Sequence, residues 1–365
     1  LTAKPKILVL SNYNDYHSVR PEAEIFLSLH MRGYDVTIMT FGESAYAEKF
    51  RDAGMKVIDH HPLGKYERKS IKFVRAELIK GKYDVLHLFN NKAIFNGLRA
   101  AKRLPVRVVV YRGTSLNFEW YNPFNYLKHL SPSIDYVICN SEGVAKQYRK
   151  HKFFDSKKVS IVNKGHDLDW YDDVKSIDLR AEYSIPETTP IFILAANDRT
   201  VKGVKYLCEA VNLLPNDTDF KLFLVGDGLD AEKYSSILAS GKHSDKVIAT
   251  GPRADALSYI AGADIFVLPS IGGESLTKSV MESMSLGKCP IITNIAGNME
   301  LVAHEVNGLV VPIKNAEKLV EAILQLCNNR ELIRKYGLAS KQKITKDLSH
   351  ENTVVGYEKF YEQIM

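Results

Sequence analysis

Asp264–Pro290 reads DIFVLPSIGGESLTKSVMESMSLGKCP. Asp264–Leu268 is an apolar run of strand length, and Pro269–Gly273 is a turn. Glu274 opens a segment of helical period with Leu276, Val280, Met281 and Met284 on one side; Gly287 stops it, and Cys289–Thr293 is the next buried strand. That order makes the βαβ unit of a parallel sheet. The loop ahead of the helix suits an anion. Gly272 and Gly273 allow a tight turn and close approach, and Ser275 or Thr277 is placed to cap the helix. The free N–H groups of the first turn point outward at the positive dipole end. Glu274 and Glu282 would repel a phosphate; they suit sugar hydroxyls, one on each side of a diphosphate. By spacing alone they are equally well two surface acids on a solvated helix.

The whole window resembles the nucleotide-sugar-binding motif of the retaining glycosyltransferases of family 4, which have the GT-B fold. That motif runs Pro-Ser, a few residues, Glu-Gly-Phe-Gly, three or four residues, then Leu-Glu-Ala-Met-Ala-x-Gly-x-Pro. Here it stands as Pro269-Ser270, Glu274-Ser275-Leu276-Thr277, Met281-Glu282-Ser283-Met284-Ser285, Gly287 and Pro290. The resemblance implies that Glu274 binds hydroxyls of the donor sugar and Glu282 the ribose. It implies that the backbone near Thr277 and Lys278 binds the diphosphate, with Ser275 and Leu276 beside it. Ser-Leu-Thr in place of Gly-Phe-Gly narrows the room near the phosphates.

Outward from this window the second half keeps matching. Lys202-Gly203 fits the family's Lys-Gly, with Arg199 three residues earlier and Asn197 at the commoner Arg position. The resemblance makes Lys202 and Arg199 the bases that neutralise the leaving diphosphate; without it they are ordinary loop residues. GPRAD, with Arg253, resembles the loop that reads the base. Gly297 and Glu300, and Asn307-Gly308 with Pro312, match further signatures.

The first half matches more loosely. Lys6–Leu10, a helix Glu22–Arg32 and Asp35–Thr40 form a βαβ opening. Its first loop lacks the family's glycine pair and carries Tyr16, His17, Ser18 and Arg20 instead; no Gly-x-Gly-x-x-Gly dinucleotide fingerprint is present. Tyr83–Phe89 matches the family strand at Asp84, Val85 and His87, but Phe89 stands where a donor-contacting His is common. His87 by itself reads as a core histidine. Asn90 and Asn91 follow at the strand's C-terminal end, where ligands bind in open α/β sheets. Tyr16, His17, Arg20, Asn90 and Asn91 are therefore the acceptor-side candidates. Five aromatics from Phe118 to Tyr126 form either a sugar-stacking or lipid-facing acceptor loop or a packing cluster.

The 365 residues suffice for two domains, with the composition of a globular protein. No apolar run approaches the ~20 residues of a membrane span. The start, LTAKPKILVL, enters a strand directly and shows no signal peptide. Cys139, Cys208, Cys289 and Cys327 are scattered in apolar settings, as buried thiols of a cytoplasmic protein are. Residues 1–175 hold 29 Lys and Arg against 19 Asp and Glu, a net of +10, and the rest carries −4. A basic half implies an anionic partner, unless it is only a solvated face. Residues 64–82 concentrate the charge; they read as a helix with one core face, or as an interfacial membrane helix.

These readings give an α/β chain of the GT-B class: two facing Rossmann-like domains with parallel sheets and a cleft between them. Residues 1–172 form the acceptor domain, with a C-terminal helix at about 348–365 packing back on it, and residues 173–347 form the donor domain. The expected function is transfer of a sugar from a nucleotide-diphosphate sugar, UDP- or GDP-linked, to a hydroxyl of a glycan or lipid-linked acceptor in envelope polysaccharide or lipopolysaccharide synthesis. The resemblance implies retention, by same-face attack assisted by the leaving phosphate. Arg199, Lys202 and Glu274 are the catalytic candidates. Arg253, Ser275, Leu276, Thr277, Lys278 and Glu282 are the donor-binding ones. No Asp-x-Asp lies near the phosphate loop, so neither metal nor cofactor is expected. The expected location is the cytoplasm, at the inner face of the membrane where an anionic surface is bound; no nucleic-acid module is visible. The alternatives are a nucleotide-sugar epimerase or hydrolase of the same fold, and a non-catalytic nucleotide-sugar-binding protein.

Overall fold

The computed structural model describes residues 4–114, 122–152 and 154–365, the side chains of residues 17, 18 and 123 excepted. The chain forms two compact units: unit 1 is Leu1–Gly165 with His350–Met365, and unit 2 is His166–Ser349.

In unit 1 strands and helices alternate: β1 (Lys6–Leu10), α1 (Tyr16–Met31), β2 (Asp35–Thr40), α2 (Ala45–Asp52), β3 (Lys56–Asp59), α3 (Arg68–Gly81), β4 (Val85–Leu88), α4 (Asn91–Ala100), β5 (Arg107–Arg112), α5 (Pro123–Tyr126), β6 (Tyr136–Cys139), α6 (Glu142–Arg149) and β7 (Val159–Ile161). The strands pair in parallel in the order β3-β2-β1-β4-β5-β6-β7. Unit 2 continues with α7 (Leu179–Glu182), β8 (Ile191–Ala195), α8 (Val204–Leu213), β9 (Lys221–Val225), α9 (Glu232–Ala239), β10 (Val247–Gly251), α10 (Ala256–Gly262), β11 (Ile265–Leu268), α11 (Lys278–Ser285), β12 (Cys289–Thr293), α12 (Ala296–Leu301), β13 (Leu309–Val311), α13 (Ala316–Cys327) and α14 (Arg330–Lys346). Its parallel order is β10-β9-β8-β11-β12-β13. The last helix, α15 (His350–Ile364), belongs to unit 1.

Helices cover both faces of each sheet, so the central strands are apolar throughout rather than alternating. The two-residue period then sorts each strand between two cores. Ile7 and Val9 of β1 pack with α1, α2 and α15, while Leu8 and Leu10 pack with α3, α4 and α6. Phe192 and Leu194 of β8 pack with α8 and α13, whereas Ile191 and Ile193 pack with α10 and α11. These are two Rossmann-like units, the pairing of the GT-B class.

Helix starts are where the sequence reading slips. The sequence reading runs the loop to Pro21 and starts the helix at Glu22; α1 instead begins at Tyr16, with Pro21 inside it. Tyr16, His17, Ser18 and Arg20 thus sit in the first turns of a helix rather than in a loop. Conversely, α11 begins at Lys278, four residues beyond Glu274, because the residues from Gly272 to Thr277 stay irregular. Of the aromatic stretch from Phe118, residues 118–121 lie outside the described residues.

His87 is fully buried, with its Nδ1 at 2.7 Å from the Tyr361 hydroxyl, and burial pushes its pKa down to about 3. His61 accepts from the Asn90 amide at 2.9 Å and is pushed down to about 4, mainly by burial. Unfolded, such groups take up a proton near pH ~6.5. Because the folded values lie below the unfolded one, their contribution is complete above about pH 6.5 and is lost as pH falls toward the folded values. Unit 1 should therefore show a lower urea midpoint at about pH 5 than at neutral pH. His61→Gln and His87→Gln should each narrow that gap; an unchanged gap in both would assign the acid lability to other groups.

Candidate functional site

In each sheet the chain winds outward in opposite directions from one pair of central strands, and the loops beyond the C-terminal ends of that pair frame a crevice. In unit 2 the pair is β8 and β11. The loop after β8 carries Arg199 and Lys202, and the loop after β11 carries Glu274.

The two loops are stitched together. The Ile271 N–H donates to the Val201 carbonyl at 2.7 Å. Gly203 ends a turn of 3₁₀ helix, Thr200–Lys202, at φ +69, and a Cβ there would lie 2.0 Å from the Pro269 carbonyl oxygen. On its other side, the loop after β8 is tied to the one after β9. The Asp198 N–H donates to the Asp227 carbonyl at 2.8 Å, and the Asp198 carboxylate accepts from the Tyr234 hydroxyl at 2.6 Å.

These ties deliver Lys202, 6% exposed, to Glu274, 9% exposed. Its ammonium lies 2.8 Å from Glu274 Oε1, and the exposed Arg199 guanidinium is 3.7 Å from the same oxygen. Thr277 Oγ1 lies 3.2 Å from Glu274 Oε2 and 2.7 Å from Asn298 Oδ1, so one hydroxyl links the carboxylate to α12. Gly297 admits that approach: a Cβ there would stand 2.4 Å from the Ser275 carbonyl carbon. One turn into α11, Lys278 donates to Glu282. Leu276 is buried in the unit 2 core. Each acid of the sequence motif thus has a base against it.

Thr277 occupies the N-cap position of α11 without a side-chain hydrogen bond onto the first turn. The sequence reading offered Thr277 or Ser275 as the cap; its hydroxyl goes to Glu274 and Asn298 instead. The same holds at α8, α9, α10 and α12. In unit 1, by contrast, Ser44, Asn90 and Ser141 cap α2, α4 and α6. The helices that follow β8 to β12 therefore carry no N-cap side chain on the first-turn N–H groups at their positive dipole ends. At α10 the candidate cap, Asp255, is taken by Arg253 at 2.9 and 3.0 Å. Arg253 lies at that edge, exposed, over the Tyr259 ring at 5.1 Å, apart from the Lys202–Glu274 group.

On unit 1, Tyr16 stacks on Tyr46 at 4.7 Å, and Arg20 lies 5.9 Å from the Tyr16 ring. Asn90 caps α4, accepting from the Ala93 N–H at 3.0 Å, and Asn91 is exposed. The side chain of His17 lies outside the described residues. Sequence reasoning passed over Asn298 and Asp198, the two polar groups that fix the loops. The only mark each carries is a position beside a matched motif residue.

The family model described as Glycosyltransferase Family 4 matches residues 23–170, and the model described as Glycosyl transferases group 1 matches residues 175–343. The N-acetyl-alpha-D-glucosaminyl L-malate synthase of Bacillus anthracis is 27% identical over 187 residues, 51% of this chain and 49% of that one, so the match spans about half of that relative. The UDP-Gal:alpha-D-GlcNAc-diphosphoundecaprenol alpha-1,3-galactosyltransferase of Escherichia coli is 24% identical over 288 residues, 73% of this chain and 72% of that one. Among solved structures, Anabaena HepE in complex with UDP superposes with a TM-score of 0.80 at 18% identity, over 98% of this chain and 100% of that one.

The stitching can be tested by comparing two glycines of unit 2. Gly287 has φ +72 with nothing within 4 Å of an added Cβ, so Gly287→Ala should cost only the left-handed strain, about 1–2 kcal/mol. Gly203→Ala adds the clash with Pro269 and should lower the urea midpoint of unit 2 distinctly further. Equal losses would mean that the loops are free to part.

Proposed function

The chain belongs to glycosyltransferase family 4, and from that premise we propose that it moves a sugar from a nucleotide-diphosphate sugar to a hydroxyl of a glycan or lipid-linked acceptor, in polysaccharide or lipopolysaccharide synthesis. The observation that carries this reading is the Lys202–Glu274 pair at the switch point, beside the open N-terminus of α11. The reaction must stabilise a departing diphosphate and a cationic sugar ring. Lys202, Arg199 and the N–H groups around Thr277 and Lys278 supply positive field to the leaving group. Glu274 accepts hydroxyl bonds from the transferred sugar, and Glu282 accepts them from the ribose. No carboxylate is assigned as a covalent nucleophile, so attack comes from the face of the departing phosphate and configuration is retained. The cations stand in for a metal. A UDP-sugar donor and a diphosphate-linked lipid acceptor are supported by the UDP bound to HepE and by the acceptor named for the Escherichia coli relative.

Calorimetry with UDP and initial rates with a UDP-sugar, both in excess chelator, test the donor reading. Glu282→Gln should weaken nucleotide and donor alike by about ten- to a hundredfold, the worth of a charged hydrogen bond. Glu274→Gln should leave UDP affinity nearly unchanged and lower the rate with the full donor, because sugar placement matters most in the transition state. Wild-type affinity and rate in both variants would remove the glutamates from the site. Binding that vanishes in chelator would remove the metal-free mechanism.

The protein also works, on this reading, at the cytoplasmic face of an anionic membrane. Among the described residues no helix is long and apolar enough to cross one. α3 buries Ser70, Val74 and Leu78 and exposes Phe73 and Ile79 among Lys69, Lys72 and Lys80. The lysines lie between Phe73 and Ile79 on the exposed side of α3, and an anionic lipid surface gains both from the apolar side chains and from the charges. The protein should sediment with phosphatidylserine-containing vesicles and be released by salt, and Phe73→Ser with Ile79→Ser should abolish most of that binding. Equal sedimentation with neutral vesicles, or unchanged binding in the double variant, would discard this surface.

A further inference from the structure

The loop between β3 and α3 is held more firmly than a connection requires. Asn96, fully buried on α4, accepts from the Glu67 N–H at 2.8 Å and donates to the Gly64 carbonyl at 2.9 Å. The Glu67 carboxylate accepts from the Leu63 N–H at 3.0 Å. Within these bonds Tyr66 sits at φ +58, a left-handed conformation that is costly for a bulky side chain. Its buried hydroxyl has no hydrogen-bond partner among the described residues.

What this conformation achieves is a gathering of cations on two rings. Tyr66 and Phe95 lie 4.7 Å apart, centroid to centroid. The Arg99 guanidinium is 3.8 Å from the Tyr66 ring, and the ammonium groups of Lys65 and Lys128 are each 5.7 Å from the Phe95 ring. Among the described residues no carboxylate pairs with Lys65, Arg99 or Lys128. Burial and the charges of Arg112 and Lys65 push Lys128 down to about 8. Aromatic faces attract each cation, but they do not cancel the repulsion between them. An anion with several oxygens would.

We propose that Lys65, Arg99 and Lys128, gathered around Phe95 and Tyr66, form a binding site for a phosphate group carried by the acceptor. The inference rests on the transferase reading above and gives that acceptor its chemistry: a phosphate- or diphosphate-linked molecule rather than a neutral glycan.

The test uses the full chain with UDP at saturation, so that the nucleotide site in unit 2 does not compete. Calorimetry with inorganic pyrophosphate should show saturable binding. Lys65→Gln/Lys128→Gln should weaken it at least about tenfold, as loss of charged hydrogen bonds does, and Lys65→Arg/Lys128→Arg should keep it. A thermal melt of each variant establishes that unit 1 is folded. A second arm compares phosphatidylcholine vesicles carrying a prenyl diphosphate with vesicles carrying phosphatidylserine. A preference for the prenyl diphosphate that the Gln variant loses assigns the phosphate to a lipid-linked acceptor. Lysine-dependent pyrophosphate binding without that preference assigns it to a soluble phosphorylated acceptor. Pyrophosphate binding absent in wild type, or unaltered in the folded Gln variant, overturns the site. UDP affinity and donor turnover on the same samples keep the two readings apart: wild type inactive with every donor sinks the transferase reading, whereas an active wild type with indifferent lysines sinks only this site.

Discussion

A single backbone hydrogen bond, from the Ile271 N–H to the Val201 carbonyl, joins the two loops that carry the candidate site of unit 2. It closes the gap between the loops after β8 and β11, where the winding of the sheet reverses and the strand ends alone would leave a crevice. Gly203 is required there because no side chain fits against the Pro269 carbonyl. With the loops joined, a base from one and an acid from the other meet with little water between them. Thr277 and Asn298 then hold the acid from the far side. Rigid backbone, rather than the long side chains, sets the geometry.

The pairing of acid with base has an electrostatic meaning. Carboxylates alone at this edge would oppose a diphosphate, and cations alone would repel one another in a partly dehydrated loop. With Lys202 against Glu274 and Lys278 against Glu282, each motif carboxylate is matched by a lysine, and Arg199 adds a further positive charge beside Glu274. A ligand carrying both phosphate and hydroxyl groups offers each partner an exchange: the ammonium turns to an anion, and the carboxylate to hydroxyl donors. A ligand with only one kind of group satisfies only half of each pair. The arrangement therefore favours a molecule that is anionic and hydroxylated at once.

Strand positions were legible in the sequence because a doubly covered parallel sheet makes its strands apolar on both faces. Lys6–Leu10, Asp35–Thr40 and Cys289–Thr293 appear where the residues place them. Helix starts were less legible, because a start depends on which groups compete for the first N–H donors. Thr277 has the composition of a cap, yet Asn298, twenty-one residues later, draws its hydroxyl away. The meeting of Lys202 with Glu274 follows from motif positions and sheet order together. The cations around Phe95 were invisible as a group, since they come from a loop, a helix and the segment after α5, and only the φ of Tyr66 marks the place.

The assignment of α15 to unit 1 bears on how the chain is made. Tyr357 and Tyr361 are fully buried among Tyr13, Phe26 and Tyr34, which lie more than three hundred residues earlier. A ribosome delivers β1 to β7 first, then all of unit 2, and only then the helix that covers one face of the first sheet. Unit 2 has every strand and helix it needs before α15 emerges, whereas unit 1 waits with an uncovered apolar face. Nascent chains of this architecture therefore depend longest on chaperones in unit 1, and a stop codon ahead of α15 would leave unit 2 intact beside an unfinished first unit.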